Sequence, residues 1–202
     1  MKFRLNKILK IVLISFIVMI LAFYILFINA WKFDFKNNEI KAYIEEIKLA
    51  EELPTLFYEL YNIDTNNSLE SGTFSFMMRS FYISNNNPPV SVWISRMMYI
   101  PRREHRIIPK IINVELSLAT KIEKETSSRQ QLNFILEKTD FVNGQIGVKA
   151  AAKFYFNKEL EELDKTETAK LIVMTRNPSL YNPLRRTEKL QIEVDKLLKK
   201  SN

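Results

Sequence analysis

The chain has 202 residues, enough for one domain with a sizeable core but hardly for two. It contains no cysteine and a single histidine, His105, which excludes disulfides, thiol nucleophiles and thiolate or multi-histidine metal sites and argues against a histidine-based triad. Its net charge is +7, of which residues 1–10 carry +4 and the rest of the chain +3, and this mildly basic remainder fits work near anionic lipid head groups or phosphates. Its three glycines are too few for a phosphate-binding glycine loop.

An uncharged apolar run extends from Ile11 to Trp31. As an α-helix it would be about 31 Å long, which matches the hydrocarbon core of a bilayer. Only basic residues precede it: Lys2, Arg4, Lys7 and Lys10. Because positive flanks stay in the cytoplasm, we expect a cytoplasmic stub at residues 1–10, a transmembrane anchor at 11–31 and an extracytoplasmic domain at 32–202.

A cleaved signal peptide is the alternative interpretation of this run. A signal peptide has a shorter apolar region, about 7–15 residues, followed by a pair of small residues at the cleavage site. Here the run is longer, and its end, Phe27 to Trp31, contains one small residue, Ala30. The pattern therefore favours an uncleaved anchor, with the Trp31 side chain at the membrane interface.

The segment that follows the anchor has a helical apolar period. Asn37 and Asn38 are suitable capping residues, and Pro54 ends a helix that we expect to run to about Leu53. Its predicted buried face holds Ile40, Tyr43, Ile44, Ile47 and Ala50.

Residues 62–89 are rich in Asn, Ser and Thr, and we expect them to be irregular. Within them, 74–76 and 81–83 are predicted to be short strands or loop anchors. Downstream, the apolar period predicts helices at 108–125, 129–138, 147–156, 166–175 and 186–199. In the last helix the predicted buried stripe is Leu190, Val194, Leu197 and Leu198. The chain is therefore expected to be mainly α.

Residues 144–158 read GQIGVKAAAKFYFNK, which resembles the G-x-[YFI]-G-[IV]-x-A-A-x-x-Y-F-x-K signature of glycosyltransferase family 51. The match continues through the family's L-x-x-x-E-x-A-x-L helix at 163–171 and its P-S-x-Y-N-P turn at 178–183. The resemblance implies a lysozyme-like helical domain that polymerises peptidoglycan from a lipid-linked disaccharide. Since no transpeptidase sequence follows, the monofunctional kind is expected.

Fainter similarity extends upstream. Residues 57–64 resemble F-Y-x-H-x-G-I-D, with Leu60 and Asn62 where the family has His and Gly. Residues 89–98 resemble the G-S-T-I-T-Q-Q-L stretch, of which only Ser91 is kept, and Arg96 stands in place of a glutamine. Residues 115–123 are similar to E-x-x-L-A-x-x-I-E.

The resemblance places the family's catalytic base, the Glu of E-D-x-x-F, at Leu53, and an alkyl side chain cannot accept a proton. A small shift of register would offer Glu51 or Glu52 instead. Two solvated carboxylates at the end of a helix are the alternative interpretation of these residues.

Glu115 occupies the family's second glutamate and falls on the apolar face of its predicted helix, with Leu118, Ala119 and Ile122. A carboxylate in such a stripe is either functional or held by a structural bond. We expect it to be largely buried and to face a cleft between the helical core and segment 62–100.

The family's pyrophosphate-binding Arg-Lys pair corresponds to Ile111 and Ile112. Basic residues near this pair would supply charge for a leaving pyrophosphate, although exposed basic residues usually form a solvated face. The candidate catalytic residues are thus Glu115 and Glu52, and the candidate substrate-binding residues are Ser91, Arg96, Arg106 and Lys110. No metal ligands are proposed, while the resemblance allows a divalent cation such as Mg²⁺ as cofactor.

Two functions of different classes follow. In the first, the chain keeps the family fold without catalysis and acts as a binding or scaffold subunit of the bacterial cell envelope. In the second, it is a divergent working peptidoglycan glycosyltransferase, or a transferase for another lipid-linked glycan. The expected partners are the bilayer of the cytoplasmic membrane, the lipid-linked precursor (lipid II) and cell-wall synthesis proteins. Nucleic acid is not expected.

Overall fold

The computed structural model describes residues 2–83, 87–101 and 113–201, and the side chains from residue 8 onward. Ten α-helices lie in these ranges: α1 (Lys2–Asn29), α2 (Asn37–Leu49), α3 (Thr55–Asp64), α4 (Thr73–Ser80), α5 (Val90–Tyr99), α6 (Val114–Glu125), α7 (Ser128–Lys138), α8 (Val148–Phe156), α9 (Lys165–Arg176) and α10 (Thr187–Lys200). Within the described residues there is no strand, only an isolated bridge between Asp140 and Ile146. The mainly α prediction is confirmed.

The N-terminal helix α1 is long and apolar enough to cross a membrane, and its described side chains are almost all exposed. A short 3-10 helix, Ala30–Phe33, joins it to the domain. Trp31 does not lie at an interface as predicted: its side chain is 5% exposed and packs in the domain core. Its backbone N–H donates to Ser117 Oγ at 3.0 Å, so the end of α1 is held directly on α6.

Two apolar clusters hold the domain together. The first core joins α3, α7, α8, α9 and α10, and the second joins the 3-10 helix after α1 with α2, α5 and α6. Helix α7 serves both, because Leu132 and Leu136 face the first core and Phe134 faces the second. Leu132 and Leu136 are four residues apart and share one face of α7, whereas Phe134, two residues from each, lies on the opposite face.

The expected helix boundaries hold best in the C-terminal half. There the structure follows the prediction within about one residue, and α10 buries Leu190, Val194 and Leu197 with Leu198 packed beside them. Helix α7 begins with a capping box, in which Ser127 and Gln130 bond each other's backbone N–H. The first part of the predicted helix 108–125 lies outside the described residues, and its described part begins at Val114.

The predicted irregular middle is confirmed only in part. Residues 74–76 belong to α4 and are neither a strand nor a loop, whereas 81–83 lie in the turn that follows α4, in agreement with the loop alternative. Helices α3 and α5 were also missed, whereas α2 ends at Leu49, four residues before the predicted end. Helices α3 and α5 follow Pro54 and Pro89 and pack against α9 and α6, and isolated helices this short are marginal in water without such burial.

Gly147 shows why the 144–158 segment needs its glycines. Its backbone has φ +86° and ψ 150°, a region restricted to glycine, and an added Cβ would lie 2.8 Å from the Glu137 carbonyl oxygen. Gly144 also has a positive φ, +77°, but a Cβ there would meet nothing within 4 Å.

We therefore expect Gly147→Ala to destabilise the domain by about 3 kcal/mol, which lowers Tm by roughly 10 °C. The matched control Gly144→Ala should cost about 1 kcal/mol, because it carries only the penalty of the positive φ. Thermal unfolding of the full chain in detergent measures both. Equal losses in the two variants would show that the contact with Glu137 has no energetic role.

Candidate functional site

The residues of the matching segments 144–158 and 163–171 hold helix ends and turns in place. Lys158 Nζ donates to both carboxylate oxygens of Glu167, at 2.8 and 2.7 Å, and these bonds raise the pKa of Lys158. Glu167 also accepts the Asp164 N–H in a capping box that begins α9. The Tyr155 hydroxyl donates to the Phe141 carbonyl at 2.8 Å. Each of these polar groups is used to hold helix ends and turns together.

Position 53 faces the protein interior. The Leu53 side chain is 7% exposed and belongs to the first core. Its backbone N–H donates to the Tyr58 hydroxyl at 3.0 Å, and that hydroxyl donates to Asn133 Oδ1 at 2.7 Å. The Arg129 guanidinium lies 4.7 Å from the centre of the Tyr58 ring. These contacts fix the backbone between α2 and α3 with residue 53 turned away from solvent.

Glu51 and Glu52 are both exposed, and neither belongs to a helix. They occupy the extended stretch between α2 and α3. Glu51 forms an ion pair with Lys149 of α8. The structure therefore puts both carboxylates on the surface beside the first core.

Glu115 lies in the first turn of α6, whose N-cap residue Asn113 accepts the Leu116 N–H. Arg96 Nε of α5 donates to Glu115 Oε1 at 2.7 Å, and the two side chains are 36% and 22% exposed. The Arg96 guanidinium also lies 5.6 Å from the centre of the Trp93 ring. The partly buried glutamate is thus neutralised by an arginine of the neighbouring helix.

Ser91 is fully buried, and its hydroxyl donates to Glu123 Oε1 at 2.6 Å. The same oxygen accepts the backbone N–H and the hydroxyl of Thr73, each at 2.7 Å. Glu123 therefore joins the start of α4 and the start of α5 to α6. Sequence reasoning named it only as the end of a matching stretch, and no local signal pairs it with a threonine 50 residues away.

A cleft lies where we expected one, between the helical core and segment 62–100. This tryptophan cleft has a volume of about 330 Å³ and is lined by Tyr61, Asp64, Thr65, Asn87, Pro88, Trp93, Met97, Ile135, Thr139, Thr175 and Arg176. Glu115 is not among these residues and approaches the cleft only through Arg96, which stacks on Trp93. The structure therefore brings Arg96 and Glu115 together but leaves Ser91 and Glu52 elsewhere.

Arg106 and Lys110 lie outside the described residues, as do Ile111 and Ile112. Within the part of the chain that is described, no group of three or more His, Cys, Asp or Glu side chains could hold a metal ion. The described residues therefore do not fit a protein-bound Mg²⁺.

Residues 94–202, more than half of the chain, match the family model described as transglycosylase. The chain belongs to the transglycosylase family. It is 28% identical to penicillin-binding protein 4 of Bacillus subtilis (strain 168) over 162 residues, which cover 80% of this chain and 25% of that protein. It is 30% identical to penicillin-binding protein 1A of Rickettsia typhi over 150 residues, 73% of this chain and 18% of that protein. It thus spans a quarter or less of the length of these relatives.

This transglycosylase-family chain keeps the signature where residues hold the fold and departs from it where the resemblance places the chemistry. The position that the resemblance gives to the base is occupied by an apolar core residue, Leu53. The second glutamate, Glu115, is retained, but Arg96 in place of a glutamine neutralises it. Among the described residues, the carboxylate that lines the tryptophan cleft is Asp64, and it is paired with Arg176. The cleft therefore offers space for a ligand but no unpaired carboxylate.

We expect the Arg96–Glu115 pair to have a modest, measurable coupling energy. In a double-mutant cycle of Arg96→Gln and Glu115→Gln, it should be about 0.5–1.5 kcal/mol, since both partners are part-buried and the bond is charge-assisted. Unfolding of the two single variants and the double variant gives this energy. A coupling energy of zero would show that the ion pair does not hold Glu115 in solution.

Proposed function

We propose that this transglycosylase-family chain is a membrane-anchored binding or scaffold subunit of the bacterial cell envelope, with impaired catalysis. The observation that carries the proposal is the core-facing Leu53, fixed by Tyr58 and Asn133 at the position that the resemblance gives to the base. Transfer of a sugar needs removal of the hydroxyl proton and stabilisation of the leaving pyrophosphate. Leu53 has no group that could remove the hydroxyl proton.

The alternative is a divergent working transferase that polymerises lipid II. The observation in its favour is the retention of Glu115 at the start of α6, where the helix N-terminus stabilises a carboxylate. In such an enzyme Glu115 would have to leave Arg96 when substrate binds.

The experiment that separates the two is incubation of the full chain in nanodiscs with labelled lipid-linked disaccharide. Retained but unpolymerised substrate supports the binding subunit. Glycan strands support the transferase. Failure to retain the substrate at all would remove the lipid-linked precursor from the proposed partners and leave cell-wall synthesis proteins.

The proposed location is the cytoplasmic membrane, with α1 spanning it and the domain lying against its outer surface. Helices α4 and α5 each expose an apolar face, formed by Phe74, Met78 and Phe81 and by Trp93, Met97 and Ile100. Both helices contact α6, which also contacts the end of α1. Apolar faces so close to the exit of the anchor suit the head-group region of the bilayer.

For the orientation we expect the N-terminus inside and the C-terminus outside, because the basic residues precede the apolar run. A reporter that is active only outside the cytoplasm, fused after Asn202, should be active. A reporter that functions only in the cytoplasm serves as the paired control, and activity of that fusion alone would reverse the proposed orientation.

A further inference from the structure

A second cleft adjoins the tryptophan cleft. This lysine cleft has a volume of about 710 Å³ and is lined by Asp64, Asn87, Arg176, Glu193, Lys196, Leu197, Lys199 and Lys200. The two clefts share Asp64, Asn87 and Arg176 in their linings, so they adjoin at the ends of α3 and α9, and the two together are called the groove below. Their volumes fall within the usual range for ligand sites, about 300–1,000 Å³.

Apart from the three residues shared with the lysine cleft, the tryptophan end of the groove offers few free polar groups. The hydroxyls of Thr65, Thr139 and Thr175 all donate to carbonyls of their own helices, at 2.7–2.8 Å, so they need nothing from a ligand. Burial raises the pKa of Tyr61 to about 12, so its phenol stays neutral. Trp93 and Met97 are 47% and 45% exposed and are also part of the apolar face of α5. An alkyl chain can therefore pass along that face into the cleft.

The lysine end carries an excess of positive charge. Its lining has four cationic side chains, Arg176, Lys196, Lys199 and Lys200, against the carboxylates of Asp64 and Glu193. Arg176 is held by Asp64 and Glu193, and these hydrogen bonds raise its pKa. Lys196 donates to Glu193 at 2.6 Å. The excess therefore comes from Lys199 and Lys200, which are exposed at the end of α10.

We infer that this groove binds an anionic amphiphile, with a single alkyl chain in the tryptophan cleft and a phosphate head group at Lys199 and Lys200. Apolar walls exclude a polar chain, and the net positive charge discriminates against neutral and cationic head groups. A phosphate monoester, with about −1.5 to −2 charges, complements two lysines better than a carboxylate does. The site goes beyond the proposed function, since neither Glu115 nor Ser91 lines it.

The test uses Trp93 as a built-in reporter. The chain has two tryptophans, and the other, Trp31, is 5% exposed in the second core. Brominated undecyl phosphate, titrated into the full chain in maltoside micelles, should quench Trp93 fluorescence saturably. The same brominated chain with a maltoside or trimethylammonium head should give only the weak, linear quenching of a micelle component.

Variants assign the two ends of the groove. Lys199→Ala/Lys200→Ala should weaken binding of the phosphate about tenfold, whereas the matched control Lys189→Ala/Lys165→Ala, with two exposed lysines outside both clefts, should not. Thr139→Leu, which fills the apolar end, should weaken binding similarly without changing Tm by more than a few degrees.

Several outcomes would overturn the inference. They are equal quenching by all head groups, an equal loss in both lysine pairs, or binding unaffected by Thr139→Leu. Equal affinity for the brominated undecanoate would overturn the phosphate assignment and indicate a fatty acid. None of these results depends on whether the chain polymerises glycan, so the site and the proposed function fail separately.

Discussion

Supplied with lipid-linked disaccharide in detergent or nanodiscs, the purified full chain is expected to form glycan strands extremely slowly or not at all. A positioned general base contributes about 10²–10⁴-fold to such a reaction, and the position that the resemblance gives to that base holds the buried Leu53. The resemblance also gives the positions of the pyrophosphate-binding pair to Ile111 and Ile112, so we expect weaker charge stabilisation of the leaving group. Both losses act in the transition state, and substrate binding does not replace them.

Glutamine variants make this prediction decisive. Because Glu115 is paired with Arg96 and Glu52 is exposed beside the first core, Glu115→Gln and Glu52→Gln should leave the residual rate within about twofold of wild type. Rates are read from the length and amount of labelled glycan, with a penicillin-binding protein as the positive control. Robust strands from wild type that disappear in either variant would establish a relocated catalytic carboxylate and end the scaffold proposal.

Placing a glutamate at position 53, where the resemblance puts the base, should destabilise the domain without restoring activity. In Leu53→Glu the carboxylate would replace a side chain that is 7% exposed in the first core, with the backbone held by Tyr58. Loss of the leucine packing and burial of a charge together cost about 3 kcal/mol or more. We expect Tm to fall by roughly 10 °C and polymerisation to stay at the wild-type level.

Leu53→Met is the matched control, because it conserves volume and polarity and should cost less than about 1.5 kcal/mol. Glu52→Gln, one residue away and exposed, controls for a change of charge on the surface. A Leu53→Glu variant with wild-type Tm and new glycan strands would show that residue 53 can turn outward. The chain would then be an enzyme lacking only its base.

Several elements could be predicted because their signals are local. Capping residues such as Ser127 and Asp164 begin helices through bonds to N–H groups within three residues. The glycines at 144 and 147 mark positive φ angles that follow from the turn itself. Helices α3 and α5 were missed because their N-cap residues, Pro54 and Pro89, form no side-chain capping bond. They form because α9 and α6 bury their apolar faces.

The site residues divide in the same way. Sequence comparison found Glu115 and Arg96, which lie 19 residues apart, but not that they pair. It named Ser91 as a substrate-binding candidate but gave no sign that Glu123 and Thr73 contact its hydroxyl. It named Glu52 as a catalytic candidate, and the structure places this residue in the exposed stretch after α2. Each difference arises from a contact between segments far apart in the chain.

The sequence by itself determined the apolar helix and the mainly helical domain, because hydrophobic period, capping and turn residues act over a few positions. Its spaced motif matches, and not this periodicity, indicated the transglycosylase family. The tertiary structure alone decided which side chains are buried, which are paired and which line a cleft. Whether Leu53 faces a cleft or the core, whether Glu115 is unpaired or neutralised, and whether Trp93 opens onto a groove all depend on which helices pack together. Burial and pairing of a side chain are set by its neighbours in space, which are the first core and Tyr58 for Leu53, Arg96 of α5 for Glu115, and residues of α3, α7 and α9 for Trp93.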